Sequence, residues 1–144
     1  MYKHILIATD GSELASKAVA VGLELAKSLN ARTTAVNVTE PWSATVTGEP
    51  TLMSPIINYD EFAAKTALHI LSTVRGAASE AGVECETLHV SGFPAESIVE
   101  TAQANGCDLV VMASHGRRGF SKLLLGSQTT RVLALATMPV LVCR

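Results

Sequence analysis

Aromatic residues are scarce: one Trp, two Tyr and three Phe make up 4% of 144 residues. No base-stacking platform for nucleic acid stands out, and Trp42 and Tyr59, which flank a long loop, read as packing anchors or lid residues. Cysteine is scarce too. Cys85, Cys107 and Cys143 are odd in number and widely spaced, with no pair at zinc-ligand or redox-motif spacing, so neither a metal site nor a disulfide framework is indicated. Cys85 and Cys143 fall in apolar, strand-like runs, where a free thiol behaves as a small hydrophobe. No apolar run approaches the roughly 18–20 residues of a membrane span. The opening apolar stretch is too short for a secretory signal and is closed by Asp10. A cytoplasmic, reducing setting is the expectation, with no membrane and no nucleic acid as partner.

What is present is a core-forming composition. Apolar residues make up 48% and charged residues 17%, which excludes disorder and suits one compact domain over residues 1–144. The net charge is only −2, from 11 Lys and Arg against 13 Asp and Glu, but it is unevenly placed. All thirteen acids lie at or before Asp108, whereas Arg117, Arg118, Lys122, Arg131 and Arg144 follow it.

Short apolar runs alternate with helical periodicity. Residues 4–9 (HILIAT) read as a buried parallel strand, and Leu14, Ala18, Val21, Leu25 and Leu29 mark an amphipathic helix over about 13–29. A β-branched strand at 33–38 leads to residues 39–58, which contain Pro41, Gly48, Pro50 and Pro55 and read as a long loop. Ala63, Ala67, Ile70, Val74, Ala78 and Ala81 predict a second helix ending at Gly82. A strand at 84–90, a helix opening near Pro94, a strand at 108–113, a helix over 127–136 and a strand at 139–143 complete the chain. This β-α alternation predicts an α/β fold, a parallel sheet with helices on both faces. Such sheets bind ligands beyond the carboxyl ends of their strands, where the strand order reverses.

Two segments follow strands at that edge. After the first strand come Thr9, Asp10, Gly11 and Ser12. Asp10 is suited to accept hydrogen bonds from ligand hydroxyls or amines, while Ser12 or Asp10 caps the first helix. After the fourth strand come Met112-Ala113-Ser114-His115-Gly116-Arg117-Arg118-Gly119, then Gly126-Ser127-Gln128-Thr129 at the start of a helix. Unpaired helix-end amides, a serine hydroxyl and three loop cations make a phosphate cradle; the alternative is a loop with Ser127 as helix cap and solvated arginines. Neither G-x-x-x-x-G-K-[ST] nor G-x-G-x-x-G is present, nor the nucleophile elbow G-x-S-x-G. His4, His69 and His89 lack carboxylate or Cys companions at ligand spacing, and His115 is placed to meet ligand through its backbone. No catalytic residue and no protein ligands for a metal are evident.

These residues together resemble the universal stress proteins, over nearly the whole chain. The likeness rests on the opening Lys3 to Ser12 run, the Asp108-Leu109-Val110-Val111-Met112 strand, Ser114-His115-Gly116, Gly126-Ser127 and the closing Met138-Pro139-Val140-Leu141-Val142. The ATP-binding members carry G-x2-G-x9-G-[ST]; here Ala113 replaces the first glycine, while Gly116, Gly126 and Ser127 keep register. The resemblance implies a Rossmann-like sheet, of the adenine nucleotide alpha hydrolase type, in the order 3-2-1-4-5. It implies an adenine nucleotide, ATP or its products ADP and AMP, bound by Ala8, Thr9, Asp10, Val38, Met112, Ala113, His115, Gly116 and Arg117. Gly126, Ser127, Gln128 and Thr129 would hold the phosphate tail, with Mg2+ carried by the phosphates. It also implies a homodimer through the last strand, which opens at Pro139 and ends at Cys143.

The implied function is a stress-response or signalling module with at most slow ATP hydrolysis. The alternative is a nucleotide-free member acting through protein contacts, for which Ala113 is the sequence support. An adenylating pyrophosphatase would need a serine- and glycine-rich loop after the first strand, and a receiver domain an Asp ending the third, where Val90-Ser91-Gly92 stand instead. Cations near a polyanion strengthen capture by long-range attraction. Neutralising Arg117, Arg118 and Lys122 together is therefore expected to weaken Mg-ATP binding in a salt-dependent way; unchanged affinity at low salt in a titration calorimeter would reduce them to surface charge.

Overall fold

The computed structural model describes residues 1–41, 53–116 and 124–144, with the backbone alone for residues 53–57. In chain order the elements are β1 His4–Ala8, α1 Glu13–Leu29, β2 Arg32–Thr39, α2 Met53–Ala81, β3 Cys85–Ser91, α3 Pro94–Ala104, β4 Leu109–Ala113, α4 Ser127–Leu135 and β5 Val140–Cys143. The strands form one parallel sheet in the order β3-β2-β1-β4-β5, as the α/β alternation and the family resemblance imply. The chain builds outward from β1 to β3, then crosses back to lay β4 on the other side of β1. Strand order thus reverses between β1 and β4.

The apolar run Ile5 to Ala8 in β1 has a direct structural cause: both faces of the strand are covered. Ile5 and Ile7 point to one layer, where they meet Val19, Leu23 and Ala26 of α1 and Leu71, Val74 and Ala78 of α2. Leu6 and Ala8 point to the other, against Ala95, Ile98, Val99 and Ala102 of α3 and Val132 of α4. Ile5, Leu6 and Ile7 are wholly shielded from solvent, and such burial contributes about 1.5–3 kcal/mol per side chain. The carboxylate of Asp108 ties the start of β1 to β4, accepting from the backbone N–H of Lys3 at 2.8 Å and of His4 at 3.1 Å.

The structure corrects the second helix. Part of the expected 39–58 loop is helical, because α2 starts at Met53. Pro55 suggested a break, yet it stands in the first turn, where the missing N–H would lack an intrahelical partner in any case. At the first helix the cap is Ser12, whose hydroxyl accepts from the Ala15 N–H at 3.2 Å. Asp10 makes an Asx turn instead, its Oδ1 accepting from the Ser12 N–H at 2.9 Å. Cys107 is buried, and that burial raises its thiol pKa to about 11. It stays a protonated core side chain.

His4 is a buried titratable group far from the carboxyl edge of the sheet. Its Nε2 lies 2.7 Å from Thr34 Oγ1, and among the described residues its Nδ1 has no hydrogen-bond partner. Burial, reinforced by Arg32 and outweighing the opposing charges of Asp108 and Glu86, lowers its pKa from the ordinary value of about 6.5. As pH falls the unfolded chain takes up the proton first. The contribution of neutral His4 is therefore fully present above about pH 6.5 and is lost below it. The melting temperature of the native protein, followed by circular dichroism, is expected to fall more steeply between about pH 7 and pH 5 than that of His4→Gln; parallel curves would contradict this assignment.

Candidate functional site

A crevice of about 180 Å³ opens at the carboxyl edge of the sheet, where β1 and β4 diverge. Its floor is apolar: Ala8 from β1, Val36 and Val38 from β2, Met112 and Ala113 from β4. Ala15 of α1 and Pro94 and Ile98 of α3 close the sides, and Gln128 and Thr129 of α4 form the rim opposite.

The polar side is built by the turn after β1. The Thr9 N–H donates to the Val36 carbonyl at 3.0 Å, continuing the β1–β2 ladder one residue past the strand. The Thr9 carbonyl accepts from the Asn37 side-chain amide at 2.9 Å, in a buried position. Gly11 then turns the chain with φ 78, a conformation that costs glycine little. Asp10 is thereby delivered to the crevice beside Gly116. A Cβ at Gly116 would stand 2.5 Å from Asp10 Oδ2, so any larger residue there would push the Asp10 carboxylate from its place.

The turn after β4 is held as firmly. The Ser114 N–H donates to the Cys143 carbonyl at 2.7 Å, and the Ser114 carbonyl accepts from the Gly126 N–H at 2.7 Å. Gly126 packs on His115, where a Cβ would meet His115 Cα and Cβ at 3.1 Å and the Ser114 carbonyl at 3.3 Å. The neighbours here are mostly backbone, which cannot yield as a flexible side chain would. The Thr129 hydroxyl donates to the Ala113 carbonyl at 2.9 Å, pinning the first turn of α4 to the end of β4. Arg131 and Glu96 pair beside this contact, and the Arg131 hydrogen bond lowers the Glu96 pKa.

Gly126, with extended backbone, is the cap of α4, so Ser127 is its first helical residue rather than its cap. The first intrahelical bond is made by the Thr130 N–H. The N–H groups of Ser127, Gln128 and Thr129 therefore precede the helix ladder, and among the described residues no acceptor meets them. They form the positive end of a helix nine residues long.

Of the residues singled out from the sequence, Ala8, Thr9, Asp10, Val38, Met112, Ala113, His115, Gly116, Gln128 and Thr129 line this one crevice. Gly126 supports its edge through His115, and Ser127 is exposed at the α4 terminus. Arg117, Arg118, Lys122 and Trp42 lie outside the described residues. Ala15, Val36, Pro94 and Ile98 were missed, as was Asn37 behind Thr9. The alternation of β2 could have found Val36, which shares a face with Val38. Nothing local marks Pro94 and Ile98, since they reach the crevice only through the packing of α3 on the sheet. Among the described residues no three His, Cys, Asp or Glu side chains are grouped to hold a metal. No helix there is long and apolar enough to cross a membrane.

Known proteins share this architecture. The profile of the universal stress protein family matches residues 1–144. A universal stress protein of Thermus aquaticus is 38% identical over the whole of both chains, and universal stress protein YxiE of Bacillus subtilis is 32% identical, again over the whole of both. A universal stress protein solved in complex with cAMP superposes with a TM-score of 0.74 at 25% identity, covering 99% of this chain and 97% of that one. Sequence, sheet order and crevice lead to the same conclusion: the chain belongs to the universal stress protein family.

Proposed function

We propose that this protein binds an adenine nucleotide in the crevice between β1 and β4 and acts as a stress-response or signalling module. The observation that carries the reading is the pairing of an apolar slot with two kinds of polar group at its ends. Ala8, Val36, Val38, Ile98 and Met112 offer a surface for a flat base. Asp10, wedged against Gly116, offers a carboxylate to hydroxyls or an exocyclic amine. The N–H groups at the start of α4, which meet no acceptor among the described residues, offer an anion site. The related protein whose structure contains cAMP supports the same ligand class.

ATP is the form we favour, with ADP and AMP as its products, and Mg2+ would arrive on the phosphates. The donors present fit that division. No acidic cage competes for the metal among the described residues, and hard divalent cations of this type are commonly carried by substrate phosphates. Thr9, Asp10 and Val38 would address the nucleoside. Met112, Ala113, His115, Gly116 and Arg117 would follow the ribose and phosphates, and Gly126, Ser127, Gln128 and Thr129 the phosphate tail.

We further infer a homodimer through β5, in a cytoplasmic setting. β5 is a sheet edge, and Leu141 on it is exposed. An uncovered edge strand is an aggregation hazard that symmetric pairing removes.

A nucleotide-free mode of action has one specific observation in its favour. The Ala113 methyl lines the crevice where a glycine would leave space, and its carbonyl is already engaged by Thr129. Calorimetric titration of nucleotide-stripped protein with Mg-ATP, ADP and AMP separates the two readings. We expect binding by the native chain, equal or tighter binding by Ala113→Gly, and at least a tenfold loss in Gly116→Ala, whose new methyl displaces the Asp10 carboxylate. Absence of binding by both the native chain and Ala113→Gly would favour the nucleotide-free mode.

A further inference from the structure

We infer that Gln128 is a specificity-determining residue of the crevice, its side-chain NH2 group donating to an acceptor on the bound nucleotide while its carbonyl clamps α3. The inference rests on the nucleotide reading above and assigns a task to one side chain of that site.

The starting point is the beginning of α3. Phe93 occupies its cap position but makes no side-chain cap hydrogen bond, and Pro94 follows with no N–H to satisfy. The first intrahelical donor is the Ser97 N–H, to the Phe93 carbonyl. The Ala95 N–H is therefore left over at a residue wholly buried against the sheet. It is satisfied from another helix: Gln128 Oε1 of α4 accepts from it at 3.2 Å.

That bond fixes which way the amide faces. An N–H can be met only by an acceptor, so the atom against Ala95 is the carbonyl oxygen, and the NH2 group must occupy the other arm. Gln128 lines the crevice together with Pro94, Ile98, Thr129 and Met112. Among the described residues its Nε2 meets no acceptor. Gln128 is exposed at the start of α4, so with its oxygen held by Ala95 its NH2 group is the arm left to select, by its acceptors, a ligand entering the slot that the residue lines. A purine ring nitrogen, a ribose oxygen or a phosphate oxygen each qualifies. An apolar ligand of the same shape would leave that donor unanswered.

The same side chain joins α3 to α4. Arg131 with Glu96 continues the seam between them, and Gln103 Nε2 with Thr137 Oγ1 at 3.3 Å ties the end of α3 to the turn after α4. Gln128 is the link of that seam which also lines the crevice.

Two substitutions separate the clamp from the donor. Gln128→Glu keeps an acceptor for the Ala95 N–H and removes the NH2 group. Gln128→Met removes both without adding charge. AMP binding to nucleotide-stripped protein is measured by calorimetry, with melting temperature as the second readout. We expect Gln128→Glu to melt at or above the native temperature and Gln128→Met below it. Both are expected to lose affinity, Gln128→Met by about three- to tenfold and Gln128→Glu by at least as much, as the loss of one ligand hydrogen bond requires. Native affinity in Gln128→Met overturns the inference even if Gln128→Glu binds weakly, because simple repulsion then explains the charged variant. Native affinity in Gln128→Glu with a loss in Gln128→Met overturns it too, since the clamp alone then accounts for the effect. Failure of the native protein to bind AMP, ADP or ATP overturns the nucleotide reading itself, and this inference with it.

Discussion

The burial of β1 on both faces and both edges is the constraint on which the rest depends. β2 pairs with one edge and β4 with the other, while α1 and α2 cover one face and α3 and α4 the other. A strand enclosed in this way favours apolar side chains, and its one polar member, His4 at the far end, is buried against Thr34; its residues have no freedom of register. A one-residue slip would exchange Ile5 and Ile7 with Leu6 and Ala8 between two differently shaped layers. The chain can present polar groups only where the strand ends. Thr9 and Asp10 are the first residues past that end, and the reversal of strand order leaves the crevice open beside them.

From that fixed strand end the site is assembled by contacts that leave no slack. Asn37 holds the Thr9 carbonyl, Gly116 lies against Asp10, Gly126 lies against His115, and Thr129 holds the Ala113 carbonyl. Each joins the carboxyl end of one strand to a neighbouring turn or helix. The two glycines serve close packing here, because a Cβ would meet a carboxylate in one case and a neighbouring residue's backbone in the other. Positioning of this kind reduces the ordering cost left to ligand binding. Gln128 does likewise, satisfying a buried helix donor from a residue that lines the crevice.

Much of this was legible in the sequence, for reasons that can be named. Ile5 to Ala8 form a short unbroken apolar run, and a run of that sort between turn signals reads as a doubly covered strand. Gly116, Gly126 and Ser127 stand at the spacing of the family motif, and the structure brings the Gly126 N–H onto the Ser114 carbonyl at the end of the same turn. What stayed hidden depends on tertiary packing. Pro55 carries the same letter whether it breaks a helix or sits in its first turn, so the start of α2 was read too late. Pro94, Ile98 and the Gln128–Ala95 bond depend on α3 lying against α4, and the bonded residues are 33 positions apart. No local periodicity reports such an approach. The concentration of cations after Asp108 was plain in the sequence, but Arg117, Arg118 and Lys122 lie outside the described residues.

The central claim is that an adenine nucleotide occupies the carboxyl edge of the sheet at the β1–β4 divergence. Amide chemical-shift mapping of the nucleotide-stripped, 15N-labelled protein tests it most directly. On titration with Mg-ATP, the account predicts perturbations gathered at Thr9, Asp10, Val38, Met112 to Gly116 and Gly126 to Thr129, with Lys3, Arg32 and Glu84 at the opposite edge unmoved. Perturbations centred on that opposite edge, or none at saturating nucleotide, would contradict it.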